Sequence, residues 1–228
     1  MFHWFAKRAM GSAMSRLDID AALTKAKEEQ VGPDFASRVI LGLDLGQAAD
    51  YTALAVLRQS AVEGFRRYEA LAIKRWPLGT AYTEIVDAVG RLIAKHQLAG
   101  QDLVVDGTGV GRPVVDMIRK ARTGANLRPV TITAGQKESC SDGYWHVPKV
   151  ALISCTNMLL QNGRIAWNKD MPHVQTLVKE LQNYRVKITA SANESFNARE
   201  GAHDDLVLAL ALACWFGERG TRRLNIFC

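Results

Sequence analysis

The sequence predicts an α/β domain on one mixed five-stranded sheet: an antiparallel meander of strands 1–3, then parallel strands 4 and 5, flanked by helices. Three observations carry that prediction. The runs RVILGLDLG (38–46) and QDLVVDGTG (101–109) are rich in Leu and β-branched residues and end in glycine, as buried strands do. Longer segments, such as TAYTEIVDAVGRLIAKHQ (80–97) and RPVVDMIRKAR (112–122), carry apolar residues at helical spacing. Three strands come first, and helices then alternate with further strands, an order that layers helices over a partly parallel sheet.

Taken in order, LDIDAALTKAKEE (17–29) reads as a short amphipathic helix with Asp18 as its N-cap, and VGPDF breaks it. Residues 38–46 form strand 1. YTALAVLRQ (51–59) is strand 2, and GFRRYEALAIKRW (64–76) alternates as strand 3. The helix over 80–97 has Thr80 as its candidate cap, and strand 4 follows at 101–109. Pro113 falls in the first turn of the next helix, where its missing N–H costs nothing. LRPVTIT (127–133) is strand 5. GQKESCSDGYWHV (135–147) is polar and contains glycine, which fits a loop or an excursion hairpin. PKVALISCTNMLLQNG (148–163) begins with Pro and stops at Gly, a helix signalled at both ends. RIAW (164–167) is a short extended piece, 171–185 a further helix, and 186–200 a hairpin. HDDLVLALALACWFG (203–217) closes the domain as a buried helix. The domain therefore spans 38–219, with a tail and short helix over 1–37 and a tail over 220–228.

Composition narrows the function classes. A hydrophobic fraction of 48% is enough for a sizeable core, and a net charge of +6 leans mildly toward polyanionic partners. No apolar run approaches the ~20 residues that cross a bilayer. The opening residues lack the long apolar core of a signal peptide. Four cysteines without CxxC spacing give neither a zinc site nor a disulfide framework, so a reducing, cytoplasmic setting is expected.

The chemistry lies in acids at the ends of apolar runs. Strand 1 delivers Asp44 in LGLDLGQ, and strand 4 delivers Asp106 in LVVDGTG. An acid that follows several apolar strand residues sits at the rim of a sheet. A right-handed crossover sets strand 4 parallel beside strand 1, so both acids emerge at one end. The neighbouring glycines let backbone and ligand approach closely. Asp204 and Asp205, after His203, head the closing apolar helix and add a third acidic segment.

Converging carboxylates stay ionised together only with a cation among them; otherwise one takes up a proton. Hard oxygen donors without a Cys or His cluster suit Mg²⁺ or Mn²⁺. Two such ions about 3.5–4 Å apart clamp the attacking water and the leaving oxygen of a phosphodiester. In this reading Asp44 bridges the ions, and Asp106 and Asp205 each hold one. Asp204, about 100° around the helix from Asp205, serves as N-cap or support. Each segment alone has an ordinary explanation as a turn or a cap; the chemistry rests on their meeting. Arg66, Arg67, Lys74 and Arg75 on strand 3, with Lys187 and Arg199 near the last hairpin, are the candidates for tracking DNA phosphates.

At these residues the sequence resembles a known family. GLDLGQAADYTALAVL is similar to the first hairpin of the nuclease domain of phage terminase large subunits, and VVDGTGVGRPVVDMIRKA to its second acidic segment. YWHVPKVALISCTNMLLQNGRIAW resembles its Pro-Lys helix and short strand, and FNAREGAHDDLVLALALA its closing helix. The four matches fall in family order. The resemblance implies an RNase H-like fold and a metal-dependent endonuclease that cuts concatemeric DNA during packaging. It places the acidic triad at Asp44, Asp106 and Asp205, with Asp204 beside it. It also implies double-stranded DNA as substrate, a packaging ATPase, small subunit or portal as partner, and the host cytoplasm as setting.

One departure matters. Full-length subunits carry an ATPase motor before the nuclease, and this chain has no GxxxxGK[ST] loop; GTGVGRP lacks the lysine that would reach the phosphates. A nuclease domain alone, a separate nuclease subunit or a remnant is therefore expected. Two other readings share part of the pattern. A phosphotransferase of the actin and sugar-kinase kind also uses a glycine-flanked Asp on a first hairpin, but it needs a second such subdomain. A non-catalytic DNA-binding packaging component would use the basic residues alone.

Overall fold

The computed structural model describes residues 38–46, 50–62, 64–109, 111–190 and 203–219. The expected helix over 17–29 and both tails lie outside the described residues. Strands β1 (Arg38–Asp44), β2 (Ala53–Val62) and β3 (Phe65–Arg75) lead to helix α1 (Tyr82–Lys95). Strand β4 (Asp102–Asp106), helix α2 (Gly111–Ala121) and strand β5 (Asn126–Thr133) follow. Then come β6 (Ser139–Ser141), β7 (Tyr144–Pro148), α3 (Lys149–Gln161), β8 (Ile165–Trp167), α4 (Val174–Ala190) and α5 (Asp205–Glu218).

All eight strands join one sheet in the order β6-β7-β5-β4-β1-β2-β3-β8. The expected five-strand core is its middle: β1 to β3 pair antiparallel, while β4 lies parallel to both β1 and β5. The other three strands come from segments whose turn chemistry is stronger than their strand signal. The 135–147 excursion folds as the β6–β7 hairpin, with Asp142 and Gly143 at positive φ in its turn, and β7 pairs parallel to β5. The extended 165–167 piece adds to β3 as β8.

Alternation along the strands explains the two faces. Ile40 on β1, Ala53, Ala55 and Leu57 on β2, and Val104 on β4 pack with α3, α4 and α5. Leu41, Leu43, Leu54, Val56, Leu103 and Val105 point the other way, against α1 and α2. Both faces are buried, so the central strands read as nearly continuous apolar runs. Helix α5 is apolar all round because it lies between the sheet and α3 and α4; Leu206 to Trp215 are all buried. It comes close because β1 has no side chain at the crossing point. A Cβ on Gly42 would stand 2.1 Å from the Ala209 carbonyl oxygen.

Three local expectations are corrected. Thr80 does not cap α1; its hydroxyl donates to the Pro77 carbonyl (2.7 Å), and Ala81 takes the N-cap without a side-chain bond. The 186–200 hairpin is not formed in its first part, because α4 runs on through Ala190; residues 191–200 lie outside the described residues. Cys155 and Cys214 are free thiols, as expected, but Cys140 is disulfide-bonded.

Candidate active site

Strands β1 and β4 run parallel with Leu43 beside Val105, so the next residues, Asp44 and Asp106, are neighbours at one rim of the sheet. Both lie on the face that α5 covers, since they continue the alternation of Gly42 and Val104. Both are buried, at 7% and 9% exposure. Each strand ends in a glycine-bearing turn that holds the rim tight: Gly46 N–H donates to Thr52 Oγ1 (3.1 Å), and a Cβ on Gly111 would stand 2.3 Å from the Asp106 carbonyl oxygen. Helix α5 begins over the same rim, which brings Asp204 and Asp205 to the pair.

The electrostatics follow from burial. Desolvation pushes the Asp44 carboxyl well above the usual carboxylate range, and the charges of Asp106, Asp204 and Asp205 push it further. The contact between the two carboxyl groups raises Asp44 and lowers Asp106. Desolvation also raises Asp106, opposed by hydrogen bonds from the Thr108 backbone N–H (2.8 Å) and hydroxyl (2.6 Å) and by the Lys149 charge. The Thr108 hydroxyl in turn accepts from Ile132 N–H (2.8 Å), which fixes the turn against β5.

The two acids of α5 are engaged by cations. Asp204 stands at the N-cap without a side-chain cap bond, and its Oδ2 accepts from Lys149 Nζ at 2.8 Å. Asp205 Oδ2 lies 2.6 Å from Arg75 Nε, with both atoms shut off from solvent. Arg75 also pairs with Glu180 on α4, and its guanidinium lies 4.6 Å above the Tyr51 ring. The edge of that ring meets His203, centroids 4.8 Å apart. Burial raises Asp205 above the carboxylate range, opposed by Arg75. Among the described residues no three His, Cys, Asp or Glu side chains are gathered closely enough to hold a metal ion as they stand. The two α5 acids pair instead with Lys149 and Arg75. The donor set nevertheless suits a hard divalent cation: Asp44 and Asp106 are buried side by side at one rim, and the charges of Asp204 and Asp205 are near enough to raise Asp44 further.

Glu180 escaped the sequence reading. It is 6% exposed, accepts from the backbone N–H groups of Leu206 (3.1 Å) and Val207 (3.3 Å), and so caps α5 from α4. Desolvation and the Asp205 charge raise it to about 7, against the pull of Arg75. The signal in the sequence was its position, since Glu180 continues the buried stripe of Val174 and Leu177.

The basic candidates divide. Lys74 and Arg75 lie at the acidic rim, Lys74 with its ammonium 4.6 Å over the Trp76 ring. Arg66 and Arg67 lie at the far end of β3; eight residues at ~3.3 Å each put Arg67 roughly 26 Å from Arg75. Arg66 donates there to the carbonyls of Gly217 (3.0 Å) and Glu218, closing the C-terminal end of α5. Arg66 and Arg75 thus have internal partners, and Arg67 is exposed. Lys187 belongs to α4 rather than to a hairpin, and Arg199 lies outside the described residues.

Known proteins resemble the chain in sequence and in fold. The large subunit of the terminase of Thermus phage G20c is 29% identical over 174 residues, 76% of this chain and 30% of its own length. That of Thermus virus P23-45 matches to the same extent. The chain therefore spans about a third of the length of these relatives. The crystal structure of the large terminase nuclease from thermophilic phage G20c superposes with a TM-score of 0.52 at 27% identity, covering 80% of this chain and 82% of that one. The human cytomegalovirus terminase nuclease domain shares the fold, with a TM-score of 0.52 at 13% identity over 83% of this chain and 87% of that one. The fold is RNase H-like. The family model for the terminase RNaseH-like domain matches residues 41–215, from the middle of β1 to the end of the apolar run in α5, and the chain belongs to that family.

Proposed function

We propose that the chain is a divalent-metal-dependent DNA endonuclease of the large-terminase kind, cutting concatemeric viral DNA as genomes are packaged in the host cytoplasm. The observation that carries this reading is the buried Asp44–Asp106 pair at the rim, met by Asp204 and Asp205 at the head of α5. The family match supports nuclease chemistry, and the cytomegalovirus nuclease domain is described as Mn soaked, which supports Mn²⁺ or Mg²⁺ here. The match leaves the phosphotransferase alternative without support.

Asp44 and Asp106 would hold the first ion, and Asp205 and Asp204 would complete the set for two. Bound there, the cations would activate a water and stabilise the departing 3′ oxygen of the phosphodiester. The protein's own groups do the positioning. Thr108 fixes one oxygen of Asp106, and Arg75 and Glu180 fix Asp205 and the first turn of α5. Gly46 and Gly107 let the rim close tightly on itself, since a Cβ would stand 2.2 Å from the Asp50 carbonyl oxygen at the first and 2.7 Å from the Tyr144 ring at the second. Lys74 and Arg67 are the basic candidates of β3 for meeting phosphates, and Lys187 and Arg199 are the further candidates. Double-stranded DNA is the substrate, and a packaging ATPase, a small subunit or the portal would deliver it.

Supercoiled plasmid tests the reading. Wild-type protein should nick and linearise it in Mn²⁺ or Mg²⁺ and do nothing with chelator, and Asp44→Asn should fall to background in all conditions. Undiminished cutting by Asp44→Asn would overturn the assignment.

A further inference from the structure

The four acids at the rim are not equivalent, and the difference lies in which of them already has a cation. Asp44 and Asp106 stand side by side on β1 and β4, and Thr108 gives Asp106 only neutral donors. Asp204 holds Lys149 at 2.8 Å, and Asp205 holds Arg75 at 2.6 Å. The two cations also differ from each other. Arg75 is clamped between Asp205 and Glu180 under the Tyr51 ring and is 13% exposed. Lys149 opens α3 directly after Pro148, is 22% exposed, and carries its ammonium on a flexible four-carbon stem. Its charge reaches Asp106 as well as Asp204. It therefore occupies a carboxylate that a second divalent ion would need.

Resting on the nuclease reading above, we propose that Lys149 is a resident counter-cation that keeps the DNA-free protein to a single divalent ion. That ion would be held by Asp44 and Asp106. Asp204 becomes available to a second ion only when Lys149 leaves it. The group that draws Lys149 away is a phosphate of the DNA backbone, the anion the site is built to receive. The second ion is thus coupled to substrate: an empty site holds Lys149 on Asp204, and an occupied one hands the ammonium to DNA. Arg75 stays in place throughout and orients Asp205.

The test is Mn²⁺ titration of the full chain without DNA, counting bound ions from the electron paramagnetic resonance signal of free Mn²⁺. Wild type should bind one ion per chain, with a second at least about ten-fold weaker, as a single close like charge produces. Lys149→Gln should bring the second ion to within a few-fold of the first. Lys149→Arg, which keeps the charge, should restore the one-ion pattern. A short DNA duplex added to wild type should raise the count to two. Two ions of equal affinity in DNA-free wild type would overturn the inference, as would a Lys149→Gln titration indistinguishable from wild type. Mn²⁺ binding that survives Asp44→Asn would remove the cation site itself, and with it both the nuclease reading and this inference.

Discussion

Glu180 takes hydrogen bonds from two N–H groups at the head of α5 while its other oxygen meets Arg75. Glu180→Ala orphans both donors and leaves Arg75 facing Asp205 alone. A loss of about 1–3 kcal/mol in chemical denaturation is expected, with Mn²⁺ affinity falling alongside because Asp205 loses its orientation. Glu180→Gln keeps an acceptor for the α5 amides and should recover most of the stability. Equal losses for both variants would show that the charge on Arg75 matters more than the cap. At this scale the site was partly legible in the sequence. Asp44 and Asp106 each end an apolar strand near a glycine, a pattern that a turn explains singly and that points to chemistry only when two such strands lie side by side. Glu180 was hidden because a helix tolerates one polar residue on its buried stripe, and its partners lie 25 or more positions away in the chain. The commitment of Arg75 was hidden for a related reason: alternation assigns a strand arginine to a face and says nothing of what that face meets.

Helix α5 shows what an element contributes beyond its residues. Its apolar surface on all sides buries it between layers, and Gly42 lets its backbone lie directly on β1. The carboxylate of Asp205 is therefore placed by a backbone contact a full turn further along, at Ala209. Gly42→Ala would set a methyl group 2.1 Å from the Ala209 carbonyl oxygen, so α5 must shift. Overpacking of this kind typically costs about 1–3 kcal/mol, and a backbone partner cannot rotate away. We expect a loss at the upper end by thermal melt, with plasmid cleavage reduced more than the folded fraction. Cleavage proportional to folded protein would mean that α5 can move without disturbing the acids. Helices α1 and α2 were legible from their period, the core strands and α5 from continuous apolar runs, and α3 from the Pro and Gly at its ends. The β-branched run VKIT past residue 185 reads as strand, yet all four of its residues extend α4. The three outer strands are three to five residues long and gain their structure from pairing with neighbours already in place.

For the whole molecule, the buried acids make stability depend on pH in a definite direction. Burial raises Asp44, Asp106 and Asp205 above the carboxylate range and Glu180 to about 7. In the unfolded chain these groups return to about 4. Between those values the folded protein binds more protons than the unfolded chain, so stability falls as pH rises from about 4 toward 7. The metal-free protein should therefore melt at a lower temperature at pH 7.5 than at pH 5.5. Saturating Mn²⁺ competes with the same protons and should reverse the order. A metal-free melting temperature that rises over this range would show that the acids are not held protonated together.

The most direct measurement is the anomalous scattering of a crystal soaked in Mn²⁺. The account predicts a peak within about 2.0–2.4 Å of carboxylate oxygens from both Asp44 and Asp106, lost in Asp44→Asn crystals. A soaked crystal with that pair empty and the ion bound elsewhere would contradict it.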